Sequence, residues 1–228
     1  MIDQLYSHHE MCAIEGGKML QRGMNFRITP KYSVILLSQR PNAPYTDKIY
    51  LDGVTLEYEG HDVTKLQSKT PKGVDQLEVL PSGKLTENGK FIEAVKRHKN
   101  GSEPELVKAY EKIKDGIWSL KGYFDLVDYK VVNDGERNVF RFILRLSERE
   151  PSNFSPVQSD LAHTRLIPGQ VKMEVWKRDA GKCVLCGETK NLHFDHDLPY
   201  SKGGTSLSAK NVKLLCMKHN LQKSAKIE

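Results

Sequence analysis

Cys183-Val184-Leu185-Cys186 and Cys216-Met217-Lys218-His219 are two pairs of soft ligands with the same two-residue gap, and 29 residues separate them. Each short gap folds a knuckle that turns both ligands toward one ion, with Gly187 easing the first turn. On a helix, positions i and i+3 of the second pair share a face. This is the spacing of a tetrahedral zinc site. The constraint is strong because residues 170–228 are too few for a hydrophobic core alone to be more than marginal, and a structural metal is a common remedy. The remaining cysteine, Cys12, reads as a buried or unremarkable thiol. A Cys-x-x-Cys pair without an export signal indicates metal or redox chemistry rather than disulfides.

The rest of the composition is that of an ordinary soluble chain: 228 residues, 38% hydrophobic, 28% charged. Apolar runs such as Val34-Ile35-Leu36-Leu37 fall far short of the roughly 20 residues that cross a bilayer. Polar Tyr6-Ser7-His8-His9-Glu10 stands where an export signal would need an apolar stretch. The expectation is a cytoplasmic protein of prokaryotic, intracellular type with no membrane association. The net charge of +6 is uneven: from residue 151 onward there are 12 basic and 7 acidic residues, leaving 23 and 22 for the first 150. A small basic unit on a nearly neutral one is the footprint of binding to a polyanion, although solubility alone explains it equally often.

Strand signals dominate the first half. Residues 32–38 form an apolar run, and residues 49–58 alternate about the turn pair Asp52-Gly53. Helical spacing follows over residues 86–98, and again at Leu106, Tyr110 and Ile113. Strands are then predicted at 117–120, 123–132 and 138–146, the last two joined by the turn Asn133-Asp134-Gly135-Glu136. Residues 151–169 mix proline, serine and charge without periodicity and read as a linker. The expected organisation is therefore a mostly β unit over 1–150, a linker over 151–169 and a zinc unit over 170–228.

Between the knuckles stand His193-Phe194-Asp195-His196, Pro199, Lys202-Gly203-Gly204 and Asn211; Asn220 directly follows the last zinc ligand, and Lys223 comes soon after. This order resembles the HNH nuclease motif of the ββα-metal class, in its zinc-knuckle form, over about residues 174–226. The resemblance implies metal-dependent phosphodiester hydrolysis. His196 would be the general base, an imidazole suited to taking a proton near neutral pH. Asp195 and Asn220 would hold magnesium or manganese, whose preference is for oxygen. Asn211 would tie the loop to the histidine's backbone, and Lys202, Lys213 and Lys223 would meet the DNA backbone. Where the family commonly has a fourth cysteine this chain has His219, which keeps zinc binding. His193 is read as structural or as a phosphate contact.

The front half resembles the SRA domain, a PUA-like β-barrel that flips a modified cytosine out of the duplex. Three blocks carry the likeness over about residues 20–150. The first is Tyr45-Thr46-Asp47, leading through Asp52-Gly53 to Tyr58-Glu59-Gly60-His61-Asp62. The second is Gly83-Lys84-Leu85-Thr86 before a helix. The third is the pair of runs beginning at Tyr123-Phe124-Asp125 and Val139-Phe140-Arg141. By this resemblance Tyr45 and Tyr58 stack on the flipped base and Asp47 accepts from its exocyclic amine; the other reading makes the tyrosines ordinary core or surface aromatics. Lys96, Arg97, His98 and Lys99 contact phosphates or form a solvated face.

The fold class expected is thus α+β: an N-terminal SRA-like barrel with flanking helices, then a small ββα-metal domain with structural zinc. The function expected is endonucleolytic restriction of double-stranded DNA carrying 5-methylcytosine or a related base, by a homodimer because one such site cuts one strand. Two alternatives stand beside it: an HNH enzyme whose front domain reads unmodified sequence or another mark, and a non-cleaving DNA-binding protein.

Overall fold

The structure, a computed structural model, describes residues 3–17, 19–149, 151, 166–198 and 204–224. Its largest element is an eight-stranded sheet. The strands are β1 (Leu5–Ser7), β2 (Met24–Thr29), β3 (Tyr32–Leu37), β4 (Lys48–Ile49), β5 (Thr55–Glu59), β6 (Glu105–Lys114), β7 (Ile117–Asn133) and β8 (Asn138–Leu146). They run in the order β2-β3-β6-β7-β8-β5-β4, with β1 added on β7. Every pairing is antiparallel except that of β3 with β6, which runs from Ser33 opposite Val107 to Leu37 opposite Glu111. Among the described strands β2 and β4 end this path, and no pairing between them closes the sheet on itself. The edges explain themselves: β4 is two residues long, and β2 breaks register where Arg27 takes a φ of 44°. Short and bulged strands end pairing.

Two expectations from periodicity fail instructively. Residues 105–114 form β6, not a helix. This strand is hydrogen-bonded on both edges and covered on both faces, so Val107 and Ala109 enter one core while Tyr110 and Leu106 enter another. A strand buried on both sides loses its alternation, and its apolar positions then imitate helical spacing. The two strands predicted over 117–132 are one continuous strand, β7, which passes through Gly122 at a φ of 113°.

The helices of this half are α1 (His8–Ile14) and α2 (Glu87–Lys99). Helix α1 starts on a capping box, in which Ser7 accepts from the Glu10 N–H and Glu10 accepts from the Ser7 N–H; this is a Ser-x-x-Glu signature that periodicity alone passes over. Helix α2 begins as expected at Thr86, whose hydroxyl accepts from Gly89 N at 3.1 Å. Its buried face, Phe91, Ile92, Ala94 and Val95, packs on Ile35, Phe124 and Phe142. In the basic run at its end Lys96 pairs with Glu78 and Glu93, and Lys99 with Asp128, all at the surface. Cys12 is buried, as expected, with its sulfur accepting from Leu20 N.

The C-terminal unit consists of α3 (Gly169–Arg178), the antiparallel pair β9 (Leu192–His196) and β10 (Val212–Cys216), and α4 (Met217–Ser224). Val175 and Trp176 belong to its core, with Val171, Phe194, Leu214 and Leu215; Leu5 and Ile113 of the front half complete that core. Of the expected linker, Leu166 and Ile167 are already buried. Among the described residues no helix is long and apolar enough to cross a membrane.

Candidate functional site

Cys183 and Cys186 sit on a knuckle closed by Gly187 N donating to Cys183 O at 2.8 Å, with Gly187 at a φ of 77°. Cys216 ends β10 and His219 lies in the first turn of α4, so a strand-to-helix junction delivers the second pair. The four ligand atoms all lie within 4.8 Å of one another. Cys183 Sγ and Cys216 Sγ stand 3.4 and 3.3 Å from His219 Nδ1, and Cys186 Sγ is 3.8 Å from Cys216 Sγ. A tetrahedron with bonds of about 2.3 Å to sulfur and about 2.0 Å to nitrogen has edges of about 3.8 and 3.5 Å. The donor set and its spacing therefore fit zinc. Burial alone would raise the Cys183 thiol, but backbone N–H groups of Cys216, Leu185 and Cys186 outweigh it and bring it down to about 6.

Strands β9 and β10 followed by α4 make a ββα hairpin beside this cluster. His196 is the last residue of β9, opposite Val212, and its Nε2 lies 2.9 Å from Ser206 Oγ. Burial holds its imidazole below the usual histidine range, although Asp3 and Asp195 oppose that shift. The ring is therefore neutral at pH 7 and able to accept a proton. Asn211 acts as the clasp of the loop: its Oδ1 accepts from Leu198 N at 2.8 Å, and its Nδ2 donates to Leu198 O and Thr205 O, each at 3.0 Å. Its main-chain oxygen accepts from Asp197 N, the residue after the histidine. Gly204 is required by the same clasp, because a Cβ there would lie 1.8 Å from Leu198 O.

Other assignments change. The Lys223 ammonium donates to the Asp195 carboxylate and to the His196 carbonyl, and Lys213 pairs with Asp197. Both lysines have carboxylate partners within the protein, and the Asp195 oxygen expected to hold magnesium accepts from the Lys223 ammonium. Among the described residues the Cys₃His group alone brings three or more histidine, cysteine or acidic ligands together. Asn220, half-buried on α4, is placed one residue past His219. Lys202 lies outside the described residues. His193 is 1% exposed with neither ring nitrogen hydrogen-bonded, so it is a core residue, neither a phosphate contact nor satisfied by its neighbours; burial lowers it to about 4. Ser206, the partner of His196, carried no signal in the sequence.

In the front half the three expected pocket residues take different roles. Tyr45 lines a cavity of about 180 Å³ with Thr46, Glu59, Lys72 and Arg137, and the Lys72 ammonium stands 4.5 Å over its ring. Tyr58 is 4% exposed within the main core, its hydroxyl donating to Leu36 O at 3.4 Å; it presents no face to a base. Asp47 is a staple between β3 and β5, accepting from Ser38 N at 3.1 Å and Glu59 N at 3.0 Å. Burial pushes its carboxyl up to about 7 against those two bonds. The polar floor missed in the sequence is a charge network: Arg137 pairs with Asp62 and Glu59, and Arg141 with Glu59. His61 and Asp62 also line a larger neighbouring cavity of about 490 Å³.

No family model and no curated protein matches the chain. Solved structures do. The SRA domain of SUVH5 with hemimethylated CG DNA superposes at a TM-score of 0.44, with 19% identity, over 64% of this chain and 88% of that one. The same domain with methylated CHH DNA gives 0.46 and 18%, over 66% and 90%. Arabidopsis thaliana SUVH6 in complex with SAM gives 0.41 and 18%, over 66% and 26%. All three fall below a TM-score of 0.5, and the function is therefore read from this chain's own residues.

Proposed function

We propose that this chain is a modification-dependent DNA endonuclease, in which the front sheet reads a modified cytosine at the Tyr45 cavity and the ββα unit hydrolyses a nearby phosphodiester. The observation that carries the proposal is the His196 imidazole. It is held neutral by burial, fixed through Nε2 by Ser206 and presented beside Asp195 on a hairpin braced by the Cys₃His cluster. In this reading water attacks phosphorus as His196 takes its proton, the bond to the leaving oxygen breaks, and that oxygen takes a proton from solvent water. Zinc, bound at Cys183, Cys186, Cys216 and His219, supplies structural bracing of the hairpin and α4. Magnesium does not fit the described donors as they stand, because Lys223 occupies the Asp195 carboxylate, and no step is routed through it. Two chains acting as a homodimer would cut both strands.

The same Lys223–Asp195 pair favours a second reading, a DNA-binding module without cleavage. Cleavage of one duplex carrying no mark, 5-methylcytosine or 5-hydroxymethylcytosine separates the two. Wild type and His196→Ala are compared with and without magnesium or manganese. Cutting of marked DNA alone, lost in the variant while zinc content is retained, is the expected result. Equal cutting of all three duplexes removes the Tyr45 cavity as a reader. Absence of cutting by wild type under every condition leaves the binding module.

A further inference from the structure

The N-terminal strand has two partners. On one edge Asp3 N donates to Leu120 O at 2.6 Å and Leu120 N to Gln4 O at 2.9 Å, continuing into the pairing of β1 with β7. On the other, Phe194 N donates to Asp3 O at 3.3 Å, and Gln4 bridges His193. A single short segment thus joins the large sheet to the hairpin that carries Asp195 and His196.

Beneath it lies a sealed group of charges. Lys172 of α3 donates to the Asp3 carboxylate and, at 2.8 Å, to Ser119 Oγ, with Glu111 at 4.0 Å. Lys121 of β7 donates to Ile167 O at 2.7 Å and pairs with Glu111 at 3.3 Å. Lys121 and Lys172 are both 0% exposed and Glu111 is 1% exposed. Two ammonium groups and two carboxylates balance, so the group is neutral only while all of its elements stay in place. Buried ion pairs are weak evidence for stability but penalise any displaced arrangement, since parting them strands a charge away from water. Helix α3 is also pressed on β6: a Cβ at Gly169 would lie 1.9 Å from Glu111 Oε1. Opening a hinge between the halves would break the strand pairing and uncover the charges together.

We propose that β1 and the Lys172–Asp3–Glu111–Lys121 group form a clamp that sets the distance between the reading cavity and the cutting centre. Lys172 and Asp3 are positioning residues, and the cut offset is a property of the fold rather than of a linker's reach. The consequence for cleavage rests on the function proposed above, whereas the clamp itself does not.

Two readouts on the full-length protein test it. The first maps cut ends by sequencing on a duplex with one modified cytosine. Wild type should cut within one or two bonds of a fixed offset. The double variant Asp3→Asn/Lys172→Met, neutral and similar in size, should spread its cuts over several positions on the DNA that it cuts. The second is scanning calorimetry with zinc present. Wild type should unfold in one transition and the double variant in two. Gly169→Ala, which pushes α3 off β6 by crowding the Glu111 carboxylate while removing no charge, should split the transition as well and covers the case in which the double variant does not fold. Variants that bind zinc, unfold in one transition and keep wild-type cut offsets would overturn the clamp. If wild type cuts nothing, the nuclease reading fails while the calorimetry still decides the clamp.

Discussion

The Cys₃His cluster makes a quantitative demand on stability. A ligand that binds only the folded chain stabilises it by RT ln(1 + [L]/Kd), so each tenfold rise in free zinc above Kd adds about 1.4 kcal/mol. If the chain unfolds as one unit of 228 residues, a kilocalorie moves the midpoint by about 2–4 °C, giving about 3–6 °C per decade of zinc. If the C-terminal unit unfolds by itself, the smaller enthalpy of a short domain raises this to about 6–11 °C per decade. The clamp selects the lower range. Thermal unfolding in chelator-buffered zinc spanning three decades measures the slope, and metal analysis of the purified chain should find a single ion at the four ligands. Cys216→Ser removes a donor that stands 3.3 Å from His219 Nδ1 and 3.8 Å from Cys186 Sγ, and should flatten the slope. A wild-type midpoint that stays put across the whole range would refute the zinc assignment, because no folded-state ligand can bind without raising it.

Other residues make separate demands. Tyr45→Ala should weaken binding of marked DNA with little change in midpoint, whereas Tyr58→Ala, in the core, should cost about 3–5 kcal/mol of stability; equal effects of the two on binding and stability would contradict the separation found here. Asp47, held at about 7 by burial, keeps a proton that the unfolded chain releases near 4. Its contribution to stability therefore falls as pH rises from about 4 to 7, by about 4 kcal/mol in all. Asp47→Asn should flatten that part of the midpoint-against-pH curve, and an unchanged curve would place the titration elsewhere. Gly204→Ala should abolish cleavage while zinc content is preserved, since its Cβ would meet Leu198 O at 1.8 Å and Asn211 Nδ2 at 2.9 Å. In DNA binding against salt, charge-removing variants of exposed Lys210 and Lys218 should each lower the slope by about 0.9 for every phosphate left without its cation; Lys213 and Lys223, already paired, should change it less.

What the sequence disclosed divides by distance along the chain. The Cys₃His cluster, the Thr86 cap, the turn at 133–138 and the Asn211 clasp are spelled by residues a few positions apart, or by donor types scarce enough to recognise at longer range. Backbone geometry makes such patterns nearly deterministic. Burial is different. Tyr58 resembled a stacking residue because its neighbours in sequence match a pocket motif, and only the pairing of β5 with β8 and the packing of α2 on the sheet show its ring to be core. Residues 105–114 misled for the same reason: coverage on both faces is set by elements elsewhere in the chain.

Charge is where this division matters most for function. Counting along the sequence gives the C-terminal tail a positive excess and so a DNA-facing field, but a count treats every lysine as solvated. Lys172 is closed into the interior by Asp3, 169 positions away, and Lys223 by Asp195, 28 positions away. Arg178 is drawn inward by the carbonyls of Ala209 and Val212 and pairs with Asp179. Each of these cations serves to hold an element in place, and their field outside the protein is offset by the partner carboxylates. The electrostatic surface left is therefore smaller than the count implies, and among the described residues of this unit it includes exposed Lys177, Lys182, Lys190, Lys210 and Lys218, the last two on either side of β10. Those two lysines flank the strand that pairs with Asp195 and His196. A phosphate backbone drawn to those two would lie along the hairpin, which is the placement the proposed cutting centre needs.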